Sequence, residues 1–136
     1  MPDVRATADA YYAALAARDL DAVALTLDPA CRADVPGAVL EGREQIIAWM
    51  QAFFDAYPDI HHVTGERRVE GPSVSTDLRV TGTHTRRFVM PEATIAATGR
   101  SLDLTAHNEM TVRDGKIVRL RIDFDPRDLM RQLGVV

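Results

Sequence analysis

Four polar residues fall where the surrounding pattern is apolar: Tyr11, Asp34, His84 and Asn108. A pocket without polar groups binds but does no chemistry, so these are the positions at which chemistry is to be sought. Phenol, amide, imidazole and carboxyl groups are hydrogen-bond donors or acceptors, and imidazole and carboxyl also exchange protons near neutral pH. Tyr11 lies on the stripe of Val4, Ala8, Tyr12 and Leu15, and Asn108 interrupts the row Leu102, Leu104, Ala106, Met110 and Val112. His84 shares the row of Leu78 and Val80, and Asp34 ends a short segment that starts at Cys31. Leaving a buried polar group dry costs about 1–3 kcal/mol, so each of the four also has a structural reading. The Tyr11 hydroxyl and the Asn108 amide can bond within the fold, His84 can cap a strand end, and Asp34 can be solvated before the turn Val35-Pro36-Gly37. Both readings remain open at this level. His61 and His62 are neighbours, so in a strand they point to opposite faces and cannot form a metal pair; neither is read as a ligand.

The elements that must position these residues follow from periodicity. From Pro2 to Ala17 the apolar spacing predicts an amphipathic helix. Asp19 predicts the N-cap of a second, short helix with Leu20, Val23, Ala24 and Leu27 inward, stopped by Asp28-Pro29. Cys31 to Val35 reads as a brief strand. Gly42 to Tyr57 carries the widest apolar stripe, Ile46, Ile47, Met50, Phe53, Phe54 and Tyr57 with Trp49 beside it, and Pro58 closes that third helix. The period then changes to two over Ile60–Glu70, and after Gly71-Pro72 over Ser73–His84. Thr85 to Arg100 has no sustained period and reads as a long connection that could serve as a lid. Ser101 to Val112 alternates again, Asp114-Gly115 is a hairpin signal, and Val118, Leu120, Ile122 and Phe124 predict the inward face of the pairing strand. Asp125-Pro126 opens a tail helix that Gly134 can end. Helices followed by strands predict an α+β fold: a curled antiparallel sheet with helices on its concave face, enclosing a cone-shaped pocket. Trp49, Phe53, Leu78, Met110, Ile122 and Phe124 are expected to line it.

Composition narrows the function classes. A chain of 136 residues is read as one domain, residues 1–136, and 46% hydrophobic with 26% charged residues is a globular balance. Cys31 is the single cysteine, read as a packed thiol, and it leaves no intramolecular disulfide and no Cys-based metal cluster. The 16 basic residues, all Arg except Lys116, are scattered against 20 acidic ones, so a nucleic-acid footprint is not expected. No apolar run approaches the roughly 20 residues of a membrane span, and the polar start of the chain makes cytoplasm the expectation. No phosphate loop, metalloprotease helix or nucleophile elbow is present, and neither a metal nor a cofactor is expected.

Over nearly its whole length the chain resembles the superfamily of the nuclear transport factor two fold, and within it the SnoaL-like polyketide cyclases and the ketosteroid isomerases. The resemblance is carried by Tyr11-Tyr12-Ala13-Ala14-Leu15, Arg18-Asp19-Leu20-Asp21, Val35-Pro36-Gly37, Glu41-Gly42-Arg43-Glu44, Val80-Thr81-Gly82-Thr83, Asp114-Gly115-Lys116-Ile117-Val118 and Phe124-Asp125-Pro126. It implies that Tyr11 stands where the isomerases have an oxyanion-hole tyrosine, and Asn108 where they have a protonated aspartic acid. An amide is permanently neutral and can still donate. The isomerases' general-base aspartate aligns with Val35, and Asp34 beside it points the other way in a regular strand. The essential aspartate of the cyclases and of the limonene epoxide hydrolases aligns with Ile122. Asp34 and His84 are left as candidates to move a proton. The resemblance thus implies an isomerase or cyclase acting by enolisation on a hydrophobic, polyketide- or steroid-like carbonyl compound. The alternatives are a module that holds a hydrophobic ligand without turnover, and an epoxide hydrolase-like enzyme. It also implies a homodimer formed through the charged outer sheet face.

Overall fold

The computed structural model describes residues 3–91 and 93–135. Helix α1 spans Val4–Ala16 and is capped by Asp3, whose carboxylate accepts from the Arg5 N–H; the Pro2 start expected from sequence lies outside the described residues. Helix α2, Leu20–Thr26, opens at Asp19, whose side chain accepts from the Ala22 N–H. Strand β1 runs Leu27–Val35, β2 Ala38–Glu41, and helix α3 Arg43–Ala56. Strands β3, His61–Glu70, and β4, Ser73–Thr83, form a hairpin; β5, Phe88–Val89, and β6, Thr94–Ile95, form a small separate one. The long strand β7, Ser101–Arg113, turns into β8, Lys116–Asp123, and helix α4, Pro126–Leu133, ends the order.

The main sheet has six strands in the order β2-β1-β8-β7-β4-β3. It is antiparallel except where β1 runs parallel to β8, so the expected meander of four strands gains two on one side. Two local expectations change for a physical reason. Strand β1 begins at Leu27 rather than Cys31, because Pro29 sits at a register irregularity between Leu27 and Arg32, where a missing N–H is tolerated. A second irregularity between Thr111 and Val112 shifts parity in β8. Ile117 is thereby fully buried and Val118 only half-buried. The β7–β8 turn is the Asp-Gly type expected, with positive φ at both Asp114 (53°) and Gly115 (75°). The segment 85–100 is the β5–β6 hairpin with its flanks, and it is pinned by Phe88, which packs on Phe53 and Tyr57.

Helix α1 lies over β3, β4 and β7, while α3 lies over β1 and β2 and reaches β5. The inward rows of the sheet are continuous across strands: Val74, Met110, Leu120 and Ala33 form one row, and Leu78 and Ala106 another. These rows and the buried faces of α1 and α3 make the main core.

Candidate functional site

Between α1, α3 and the inward rows lies a cavity of about 70 Å³. The i, i+4 spacing of Tyr11 and Leu15 brings both to it from α1, and α3 supplies Trp49, Met50, Phe53 and Phe54 from one face. Of the residues expected to line it, Trp49, Phe53, Leu78, Ile122 and Phe124 do so. Met110 does not: it is buried one row beyond Asn108, between Val74 and Leu120, and fills the core outside the cavity. The rings of Trp49 and Phe53 are 4.9 Å apart and that of Phe124 is 6.5 Å from Trp49, so aromatic side chains themselves occupy much of the space.

Apart from the indole N–H of Trp49, three polar side chains line this cavity: Tyr11, Asn108 and His62. Tyr11 and Asn108 are brought to it together, both almost fully buried. Burial raises the Tyr11 pKa well above its ordinary value, so the phenol stays protonated and keeps its hydrogen-bond donor at neutral pH. Asn108 is neutral at every pH. Asp34 and His84 are not among the lining residues. Asp34 alternates with buried Ala33 and Val35 and so faces outward, where its carboxylate lies 3.5 Å from the Arg119 guanidinium and 4.0 Å from that of Arg32. His84 lies one residue beyond β4, where the strand parity no longer applies. Its ring is buried against Tyr57, and its Nδ1 meets the Thr98 Oγ1 at 2.9 Å, which ties the ends of the segment 85–100 together.

His62 is the site residue that sequence reasoning passed over. The signal was present: His62 has the parity of Ile60, which is buried, whereas His61 and Val63 point outward. Its ring stacks on Phe54 at 5.9 Å and its Nδ1 is sealed from solvent with no hydrogen-bond partner. Burial lowers its pKa from 6.5 to about 4, with lesser contributions from His61 and Arg18. The imidazole is thus unprotonated at pH 7. His62 is the cross-strand neighbour of Val80, and Asn108 that of Thr76, two strands and four residues away. Strand rise and spacing separate their Cα atoms by about 16 Å on a flat sheet, a gap that inward side chains and curl reduce. The cavity is therefore lined by Tyr11 of α1 and by Asn108 and His62 on separate strands of the sheet. Among the described residues no carboxylate lines it, and no group of three metal-ligating side chains occurs.

The match of the SnoaL-like domain model over residues 8–120 decides the family. The chain belongs to the SnoaL-like domain family. Solved structures share its architecture over almost the whole chain. It is 20% identical to AclR from Streptomyces galilaeus, described as a proposed hydroxylase, over 98% of this chain and 96% of that one, with a TM-score of 0.83. It is 24% identical to IdmH from Streptomyces antibioticus, described as a proposed polyketide cyclase, over 98% and 99% of the two chains, with a TM-score of 0.78. An NTF2-like protein of unknown function from Burkholderia pseudomallei is 20% identical over 98% of each chain, with a TM-score of 0.80. At such identities the likeness is one of fold. No curated protein matches the chain by sequence. No described helix is long and apolar enough to cross a membrane.

Proposed function

We propose that this SnoaL-like protein binds a hydrophobic carbonyl compound of polyketide- or steroid-like size and promotes its enolisation, as an isomerase or cyclase. The observation that carries this reading is the pairing of two neutral donors, Tyr11 and Asn108, with an unprotonated imidazole, His62, in an otherwise apolar cavity. Tyr11 and Asn108 donate to the guest's carbonyl oxygen as it gains negative charge, the task of an oxyanion hole. His62, rather than Asp34 or His84, takes a proton from a carbon of the guest. Because His62 stands apart from the two donors, the carbon that loses its proton is conjugated with the gripped carbonyl rather than next to it. The electron pair of the broken C–H bond then passes through the conjugated system to the oxygen. Return of the proton at a different carbon completes an isomerisation; attack of the enolate carbon on a second carbonyl breaks its C=O π bond, and the resulting alkoxide takes the proton from the His62 imidazolium to complete a cyclisation. The description of IdmH supports the second outcome.

A volume of about 70 Å³ is below the roughly 300–1,000 Å³ of small-molecule sites, so a ring enters only as Trp49 and Phe53 turn aside. That narrowness, with apolar Val35 and Ile122 at the two aspartate positions, favours the second reading, a module that holds a hydrophobic ligand without turnover. The epoxide hydrolase reading needs acid and base carboxylates around a water and finds none in the lining. One experiment separates the first two. Progesterone, a steroid enone, is incubated with the protein in deuterated buffer, and deuterium at its γ-carbon is followed by mass spectrometry. Enolisation predicts uptake above the buffer rate; no uptake from a protein that still binds β-naphthol overturns it in favour of the ligand-holding module.

The outer sheet face supports a homodimer in this proposal. It alternates charge at Asp34, Arg121 and Glu109 along one row, an arrangement that can pair with itself across a two-fold axis. Light scattering at micromolar concentration is expected to give twice the chain mass of 15.0 kDa; a value of 15.0 kDa refutes the dimer.

A further inference from the structure

Arg18 stands at the corner between α1 and α2 with its backbone in the left-handed region, at a φ of 58°. A residue with a Cβ adopts that conformation at a cost that glycine escapes, so the side chain is where a reason for the arginine is to be sought. Three contacts tie that side chain to the neighbourhood of His62. Its Nη1 donates to the Ile60 carbonyl at 3.0 Å and its Nη2 donates to the Pro58 carbonyl. These two carbonyls belong to the turn that leads into β3, where His62 is the second residue. The guanidinium carbon also stands over the Phe54 ring, 5.8 Å from its centre. That ring is the one on which the His62 imidazole stacks, at 5.9 Å and 25°.

We propose that Arg18 is a positioning residue for His62: it holds the Pro58–Ile60 turn and the Phe54 ring together, and so sets the plane in which the imidazole meets the guest. This rests on the reading of the cavity as an enolisation site with His62 as its base. The plane matters because Nδ1 is sealed from solvent, which leaves Nε2 as the nitrogen that can reach a carbon of the guest. A proton is taken from carbon only along the lone pair of that nitrogen, and the lone pair lies in the ring plane. Backbone and ring are therefore both to be fixed, and Arg18 touches the support of each. Asp59, between the two gripped carbonyls, fastens the same turn to β4 by accepting from the Thr83 N–H at 2.7 Å and the Thr83 hydroxyl at 2.9 Å. A planar guanidinium can hold two carbonyls and lie over a ring at once, which a lysine ammonium cannot. Its charge acts in the same direction. Burial does most to lower the His62 pKa, then His61 beside it, then Arg18. The other groups facing the imidazole, Tyr11 of α1, Phe54 of α3 and Val80 of β4, carry no charge at neutral pH.

The test compares Arg18→Met, which keeps the stem and removes charge and donors, with Arg18→Lys, which restores the charge without the planar fork. In ligand-free protein, the NMR signals of the His62 ring are expected to move toward free-histidine values in both variants. Its pKa is expected to rise in Arg18→Met alone. The kcat for γ-deuteration of progesterone is expected to fall about tenfold in both. The affinity for β-naphthol stays unchanged, because that binding rests on Tyr11 and Asn108. Ring signals that stay in place in either variant overturn the positioning role, and so does full recovery of exchange in Arg18→Lys, which would leave charge alone as the cause. A fall in β-naphthol affinity as large as the fall in kcat marks general loosening of the fold and also overturns it. Displaced ring signals in a protein that exchanges no progesterone remove the enolisation reading and leave the hold of Arg18 on the imidazole standing.

Discussion

His62 and His107 stand on opposite faces of one sheet, and their environments push the same side chain in opposite directions. His62 faces the cavity, stacks on Phe54, and is held down to about pH 4 by burial. His107 faces outward at a half-exposed position, its Nδ1 2.7 Å from Asp77 and its Nε2 3.5 Å from Glu109, and the hydrogen bond to Asp77 raises its pKa. The inner imidazole is neutral with no hydrogen-bond partner at its Nδ1, whereas the outer one sits between two carboxylates in solvent. Asn108 follows His107 directly and belongs to the inner face, so a single step along β7 separates these two chemistries. The comparison teaches that polarity alone marks no site: one step along a strand decides whether a polar side chain meets the cavity or the solvent.

Breaking the inner side of this contrast has the largest expected effect. His62→Ala is expected to reduce γ-deuteration of progesterone by about 10²–10⁴-fold, the usual worth of a positioned base, while His107→Ala leaves the rate unchanged. Equal losses in the two variants would dissolve the contrast. The next effect is on stability. His62 binds its proton less readily when folded (about 4) than when unfolded (6.5), so the unfolded chain takes up more protons between those values. Stability is therefore fully present above pH 6.5 and falls by up to about 3 kcal/mol as the pH drops toward 4. Thermal melts across that range are expected to show the slope in the native protein and a flatter one in His62→Gln. For His107, with its pKa raised, the contribution has the opposite sense: it is present below pH 6.5 and lost as the pH rises through the folded value. Solvent exposure keeps it small.

Two smaller effects sharpen the boundary of the site. Tyr11→Phe and Asn108→Ala are each expected to weaken β-naphthol binding by about 1–3 kcal/mol in fluorescence titrations, the cost of an unpaired polar partner. Unchanged affinity in both would remove them as oxygen-gripping donors. Asp34→Asn is expected to leave binding and exchange untouched and to move stability by no more than about 0.5 kcal/mol, since it cuts only exposed pairs with Arg119 and Arg32. A clear loss of exchange in this variant would restore Asp34 as a participant.

Much of the architecture was legible in local pattern. The inward rows of β4 and β7, the Asp-Gly hairpin, the α3 stripe and the Asp125-Pro126 helix start all agree with the structure, because each depends on residues a few positions apart. Tyr11 and Asn108 were legible for the same reason. Adjacency sends His61 and His62 to opposite faces, which excludes a metal pair but also gives His62 the inward parity of buried Ile60. His84 departs from the row of Leu78 and Val80 because β4 ends at Thr83, one residue before it. Met110 misled because parity says which face a residue takes but not whether helices roof it with a cavity or with side chains.

By itself the sequence determined most of the elements, their buried faces and the inward parity of Tyr11 on a helix and of Asn108 on a strand, since periods of two and 3.6 are set by neighbours along the chain. Only the tertiary structure decided that β1 lies parallel beside β8, that a register shift buries Ile117, and that Asp34 is left outside among arginines. It also brought Arg18, at the corner between α1 and α2, over the Phe54 ring that stacks on His62. These outcomes depend on which distant segments meet and how the sheet curls, and no local spacing encodes that.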